Sequence, residues 1–338
     1  MKRQHKFALV GCGQIGRRHA SQIAERSQLA AVCDSNEARA EEFATKYRVP
    51  MYGDLGALLH EEPGVDVVVI CTPNGLHAAQ SIQALDAGRH VLCEKPMALS
   101  SSDAMAMIEA EKRSGRKLFI VKQNRFNPPV AFARELIDKG ALGKIHSFVI
   151  NCFWNRPASY FESDWRGTAS LDGGTLYTQF SHFIDLLQWF AGDVSMASGT
   201  RANFMHQGLI AFEDTGSAIL QMSTGAIGSI NYTINAHKSN MEGSFTLFAE
   251  NGTLKIGGQY LNELEYFSVD GMERPELPAG SPANAYGHYQ GSMSNHGIVY
   301  EHFLRAIDDG EHGLMDSAET RKTVAIIEKI YQSSPLLH

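Results

Sequence analysis

The sequence predicts an α/β chain: a doubly wound parallel sheet followed by an α+β domain with a largely antiparallel, open sheet. Three observations carry this. Strand-like and helix-like segments alternate with short connections up to about residue 121. The run 66–71 is apolar without alternation, as a central strand covered on both faces must be. Beyond Lys122 strand-like runs multiply, with turn signals such as Glu250-Asn251-Gly252 and Thr224-Gly225 between them.

Taken in order, strands at 6–10, 29–33, 66–71, 90–93 and 118–121 alternate with helical patterns at 15–25, 37–46, 54–60, 76–87 and 101–114. Right-handed crossovers then make the sheet parallel. The second part opens with a helix at 129–139 and has another at 173–191. Its strands are expected at 144–154, 195–205, 208–213, 216–223, 226–236, 243–249, 252–257 and 261–268. A Pro-, Gly- and Ser-rich stretch from 275 to 294 reads as an ordered or substrate-gated loop, and 295–309 and 317–333 as closing amphipathic helices. The expected domains are 1–121 and 122–338.

Composition excludes several classes. At 338 residues, 43% hydrophobic and 20% charged, the chain has ordinary globular make-up. A net charge of -7 argues against a nucleic-acid partner, and no basic cluster is dense enough for a membrane surface. No apolar run reaches the ~18 residues of a spanning helix. Residues 9–12 imitate a lipoprotein cleavage box, but the apolar stretch is shorter than the ~7–15 residues a signal needs, so it reads as the first strand. The five cysteines lack C-x-x-C spacing and read as small buried residues in a reducing, cytoplasmic compartment. Fourteen histidines show no paired ligand spacing, so no metal is expected.

The first strand runs into Gly11, Gly13 and Gly16, a G-x-G-x-x-G pattern that opens a helix. Gly11 permits the tight turn, Gly13 lets backbone approach a pyrophosphate, and Gly16 lets helix and strand pack closely. Asp34 closes the second strand eighteen residues after Gly16, near the ~20 expected of an acid that accepts hydrogen bonds from a ribose. Its charge repels a 2′-phosphate, and Ser35-Asn36-Glu37 offers no adjacent arginine, so NAD is favoured over NADP. Arg39, further along, reads as a solvated helix residue.

Ligands of doubly wound sheets lie beyond the carboxyl ends of the strands. That singles out Thr72, Asn74 and His77 after the strand at 66–71, and Glu94-Lys95-Pro96 after the strand at 90–93. A lysine fixed between an acid and a proline can stabilise a developing alkoxide; the bland alternative is a surface pair with Glu94. His77 reads as a residue that orients its own loop. A second constellation starts at Asp172-Gly173-Gly174 and enters a helix in which Thr178 and His182, four apart, share a face. Histidine suits a general base near neutrality, against the alternative of a satisfied core residue.

At these two sites the sequence resembles the Gfo/Idh/MocA oxidoreductases, over essentially the whole chain. The resemblance implies a dinucleotide-binding Rossmann domain at 1–121, and at 122–338 a domain whose open sheet mediates oligomers and shapes a sugar site. The family's usual signature has an aspartate four residues before the histidine. Thr178 stands there and cannot serve as a carboxylate, which leaves proton abstraction to His182 alone or with Lys95.

Within the family, segments 122–129, 151–156, 160–168 and 176–182 are similar to the UDP-N-acetylglucosaminuronate 3-dehydrogenases of the WlbA/WbpB type. The resemblance implies NAD contacts at Gly11, Gly13, Gln14, Ile15, Gly16, Asp34, Ser35, Thr72, Asn74, His77, Glu94, Lys95 and Gln123. It implies substrate contacts at Arg125, Asn127, Asn155, Arg156, Tyr160, Trp165, Arg166, Thr178 and His182. Arg125, Arg156 and Arg166 offer planar forks for a carboxylate or diphosphate, and Trp154, Tyr160 and Trp165 apolar faces for sugar or uracil. Each arginine has the alternative of a structural ion pair. The implied reaction is NAD-dependent oxidation of the C3 hydroxyl of UDP-2-acetamido-2-deoxy-D-glucuronate to the 3-keto sugar, for lipopolysaccharide O-antigen synthesis. A 2-oxo acid such as 2-oxoglutarate would reoxidise NADH, and a homotetramer is expected. The rivals are a family dehydrogenase of a free polyol or hexose, such as inositol, and a non-catalytic NAD-binding sensor.

Overall fold

The computed structural model describes residues 4–285, 290–310 and 316–337. Two compact units form: Met1–Lys122 with His296–Val324, and Gln123–Asn295 with Ala325–His338. The expected second domain, 122–338, therefore lends a stretch near its end to the first unit.

The first unit begins β1 (Lys6–Val10), α1 (Gln14–Arg26), β2 (Gln28–Cys33), α2 (Glu37–Tyr47), β3 (Met51–Tyr52), α3 (Leu55–Glu61) and β4 (Val67–Ile70). It continues with α4 (His77–Asp86), β5 (His90–Cys93), α5 (Ser101–Ser114) and β6 (Leu118–Ile120). All six strands are parallel, in the order β3-β2-β1-β4-β5-β6. The order reverses at β1 and β4, which opens a crevice beyond their carboxyl ends. Every residue of β4 is buried, as its unbroken apolar run requires. Asn36, Asp54 and Ser100 cap α2, α3 and α5, each side chain accepting a backbone N–H of the first turn. The two-residue β3 is too short to leave a period in the sequence.

The second unit holds α6 (Pro128–Asp138), β7 (Ile145–Phe153), α7 (Thr175–Thr178), α8 (Ser181–Ala191), β8 (Val194–Ala202), β9 (Thr215–Met222) and β10 (Ile227–Thr233). Then come β11 (Glu242–Ala249), β12 (Gly252–Gly257), β13 (Glu263–Val269), and a small hairpin of β14 (Ala283–Ala285) and β15 (Gln290–Met293). After these the chain gives α9 (His296–Asp309) to the first unit, divides α10 (Ser317–Ser333) between the two after Val324, and ends the second with β16 (Leu336–Leu337). The large sheet runs β13-β12-β11-β7-β10-β9-β8-β16 and is antiparallel except for the β7–β10 and β8–β16 pairs. In β9, buried and exposed residues alternate, one face packed inward and the other open. No helix among the described residues is long and apolar enough to cross a membrane.

Two expected elements differ. The helix expected at 173–191 is broken between Thr178 and Ser181, so Thr178 and His182 do not share one helical face. At the break Gln179 turns its side chain to Arg156 and Tyr160, and Phe180 packs on Trp154 and Tyr232. Residues 208–213 form no strand. There the Asn203 amide donates to the carbonyls of Ile210 and Phe212, and the buried Asp214 carboxylate accepts the N–H groups of Phe204 and Met205. Side chains thus satisfy backbone groups that a ladder would otherwise have to pair. Of the loop expected at 275–294, residues 286–289 lie outside the described residues.

Candidate active site

In the first unit the glycine pattern is steric as well as conformational. Gly11 has φ +97°, and a Cβ there would collide with the carbonyl of Cys71; a Cβ on Gly16 would collide with the carbonyl of Gly11. A Cβ on Gly13 would meet nothing within 4 Å. Packing therefore does not demand a glycine at 13 and leaves open space before its backbone. Gly13 also heads α1 with no side-chain cap, leaving the first N–H groups and the positive dipole end for an anion. Gln14 beside it is exposed and Ile15 half-buried. Asp34 is held from both sides, Oδ2 accepting Cys12 N–H and Oδ1 accepting Asn36 N–H, each at 2.8 Å. These residues fit a dinucleotide: a backbone cradle for phosphates and a fixed carboxylate for a ribose. Ser35 and Arg39 are exposed. All five cysteines are buried and free; burial beside Asp34 pushes the Cys12 thiol up to about 12, which keeps it uncharged.

Beyond β4, the Thr72 hydroxyl donates to Gln80 at 2.6 Å, and Asn74 is buried. His77, 1% exposed, sets Nδ1 at 2.7 Å from the Pro96 carbonyl and Nε2 at 2.9 Å from that of Thr72. It ties the loop after β4 to the segment after β5, the orienting role its position suggests. Burial lowers its proton affinity against the pull of both carbonyls. Lys95, half-buried, is joined to Pro96 by a cis peptide bond. Glu94 is turned inward, its Oε1 2.8 Å from His19 Nε2 and 3.3 Å from His296 Nε2. Burial alone would raise the Glu94 carboxyl, but hydrogen bonds from the two imidazoles hold it well below the usual carboxylate range. His19 has a local signal, since the helical period that buries Gly16, Ala20 and Ile23 buries it too. His296, 202 residues from Glu94, has none.

In the second unit, His182 is 5% exposed and its Nε2 lies 3.2 Å from the amide nitrogen of Gln123. The Thr178 hydroxyl donates to the buried carboxylate of Asp172, which also takes Gly167 N–H at 2.8 Å. An acid therefore does stand beside Thr178, supplied from six residues upstream. The three arginines divide. Arg125, 1% exposed, makes a two-point pair with Asp185 at 2.8 and 2.9 Å and lies over Trp189. Arg156, 2% exposed, bonds Gln179 and Asn240. Arg166 is half-buried, its guanidinium 4.1 Å from the Tyr160 ring centre and 5.5 Å from that of Trp165.

Asn127 donates to the carbonyls of Tyr260 and Leu261, and Asn155 to that of Ala236, so both hold the frame. A cavity of about 660 Å³ elsewhere in this unit is lined by Glu242, Lys255, Gln259, Tyr260 and Met293 and by none of the expected substrate residues. Its one lysine is spent between Glu242 and Glu265.

Residues 5–122 match the profile of the oxidoreductase family with an NAD-binding Rossmann fold, and 130–255 that of the GFO/IDH/MocA C-terminal domain. Among solved structures, the chain is similar to the WlbA dehydrogenase of Bordetella pertussis in complex with NADH and UDP-GlcNAcA. The two are 32% identical, with a TM-score of 0.89, over 98% of this chain and 96% of that one. It is 25% identical to a levoglucosan dehydrogenase of Pseudarthrobacter phenanthrenivorans, over 96% of this chain and 95% of the relative. It is 28% identical to inositol 2-dehydrogenase 2 of Saccharopolyspora erythraea, over 68% and 67%. With NAD as its cofactor and both domains matched, the chain belongs to the Gfo/Idh/MocA family of oxidoreductases, among its sugar dehydrogenases.

Proposed function

We propose that the protein oxidises the C3 hydroxyl of UDP-2-acetamido-2-deoxy-D-glucuronate to the 3-keto sugar. The observation that carries this is the 32% identity, across nearly the whole of both chains, to a dehydrogenase crystallised with NADH and UDP-GlcNAcA. The Arg166 guanidinium stacked on Tyr160 and Trp165 supports it, because a half-exposed cation between aromatic faces suits an anionic, ring-bearing substrate. His182 takes the hydroxyl proton. Lys95 stabilises the negative charge that grows on that oxygen as the C3–H electron pair departs, an electrostatic contribution made in the transition state. NAD⁺, bound along Gly11, Gly13, Gly16 and Asp34, supplies the hydride acceptor. Gln123 orients His182, and Thr178 with Asp172 fixes the turn that precedes it.

Oxidation of a secondary alcohol by NAD⁺ is uphill at neutral pH, so we include a 2-oxo acid such as 2-oxoglutarate as the acceptor that recycles NADH. The setting we propose is cytoplasmic synthesis of a surface polysaccharide such as O-antigen, by a homotetramer.

The test is mass spectrometry of UDP-GlcNAcA after incubation with the protein, NAD⁺ and 2-oxoglutarate, with UDP-N-acetylglucosamine, levoglucosan and inositol in parallel. Loss of two hydrogens from the uronate alone is expected. A second reading, a dehydrogenase of free sugars or polyols, draws on the levoglucosan and inositol relatives. Oxidation of either compound, with no change in the UDP-sugars, would establish it. NADH binding without turnover of any compound would favour a sensor.

A further inference from the structure

We propose that His19 and His296 are positioning residues for Lys95: the two imidazoles lock the Glu94 carboxylate, and that carboxylate holds the lysine that follows it. The inference deepens the proposed function and rests on Lys95 being the group that meets substrate.

The arrangement lies wholly within the first unit. His19, from α1, and His296, the first residue of α9, bring their Nε2 atoms to one oxygen, Glu94 Oε1, at 2.8 and 3.3 Å. The other oxygen, Oε2, accepts the Lys95 N–H at 3.1 Å. Tyr300, one turn along α9, has its hydroxyl 2.8 Å from His19 Nδ1. The side chains of His19, His296 and Glu94 are 0%, 3% and 7% exposed.

An ionised carboxylate can only accept, so both Nε2 atoms carry their protons. Burial drives His19 toward its neutral form, which leaves Nδ1 a lone pair for the Tyr300 hydroxyl. Each proton then has one place: Tyr300 O–H on His19, two imidazole N–H groups on Oε1, and Lys95 N–H on Oε2. A flexible side chain is thereby held in one rotamer and one charge state. A buried charge is costly unless paired. Its bond to the Lys95 backbone N–H fixes the peptide from which the lysine side chain departs.

The other titratable groups facing this carboxylate stay constant near neutrality. Burial pushes the Cys71 and Cys93 thiols and the Tyr300 phenol up, and pushes His77, which feels both Glu94 and Lys95, toward neutral. The two histidines and the acid also form a set whose ligating atoms all lie within 4.8 Å of one another. Two nitrogens converging on one oxygen at hydrogen-bond length is donor geometry, whereas metal ligands spread around an ion.

The test needs no substrate: competitive labelling of the protein with acetic anhydride from pH 6 to 11, read lysine by lysine by peptide mass spectrometry. In Glu94→Gln the Lys95 labelling midpoint falls by about one pH unit, the usual effect of removing a neighbouring charge, while exposed Lys112 is unchanged. In His296→Leu the Lys95 labelling rate rises several-fold as its support loosens. His296→Gln, whose amide still donates to Oε1, returns the wild-type curve. A Lys95 curve unaltered in His296→Leu, an equal change in His296→Gln, or stoichiometric zinc surviving dialysis would each overturn the proposal. Failure of the catalytic reading is separately visible: Lys95→Met would retain turnover while the labelling changes stand.

Discussion

Lys95 and Arg125 are both cations introduced by short motifs, and the structure gives them opposite surroundings. Lys95 is half-buried beyond the end of β5; Arg125 is sealed against Asp185 and Trp189. Lys95→Ala should lower kcat by roughly 10²-fold or more, the scale of losing one transition-state donor, with the Kd for NADH within about twofold of wild type by fluorescence titration. Arg125→Ala removes the two-point partner of a buried carboxylate, which should cost about 3–5 kcal/mol in denaturant unfolding. Arg166→Ala should instead raise the KM for the UDP-sugar with little change in stability. What separates these residues is invisible locally, because an arginine's partner is set by the fold. Gly11, Gly16 and Asp34 are legible because their chemistry is complete within a strand, a turn and a helix start. The imidazoles on Glu94 are half-legible: helical period buries His19, and nothing near His296 points to a partner 202 residues away.

Among the elements, β1, β5, α5 and α10 have the bounds their periodicity predicts, since each is a continuous run closed by a cap or turn. The failures share a cause. At 178–181 polar side chains pair with one another and at 203–214 they take over backbone partners, and a pattern of hydrophobicity registers neither. Asp214 is the centre of the second case. Burial would raise its carboxyl, but bonds from His206, Met205, Asn235 and Phe204 hold it far below the ordinary range. A depressed folded value means the stabilisation is complete above the unfolded pKa of ~4 and is lost as pH falls through the folded one. Asp214→Asn should therefore lower unfolding free energy by about 2 kcal/mol at pH 7. The gap from wild type should shrink steadily below pH ~4 in urea titrations.

For the molecule as a whole, two layers of alternation suffice to read a doubly wound sheet and a second, mostly antiparallel one, because both periods are properties of the chain alone. The return of 296–324 to the first unit is not readable, since α9 has the same amphipathic pattern whichever sheet it covers. Nor is the open face's purpose. It presents Ile219, Ile227 and Met196, 62%, 57% and 50% exposed, around Gln221, which pairs in register with both Ile227 and Met196. If copies of the chain cover this face, as proposed, Ile219→Glu should reduce the mass measured by light scattering while leaving the circular dichroism intact.

The two-part origin of the first unit also governs the order of events during synthesis. Phe7 and Phe119 meet Tyr300 and Phe303, at ring separations of 6.1, 6.0 and 5.0 Å for Phe7–Tyr300, Phe7–Phe303 and Phe119–Phe303. A nascent chain that has emerged as far as Lys122 thus owns every strand of its sheet but not the helix that closes its core. At ~5–20 residues per second the missing helix follows on the order of ten seconds later, after every strand of the second unit's sheet but β16 has been made. Until then the apolar rings lack their partners and Glu94 lacks one of its two imidazoles. The support of Lys95 is thus completed not with the sheet that presents the lysine but only when α9, more than 170 residues further along the chain, has been made.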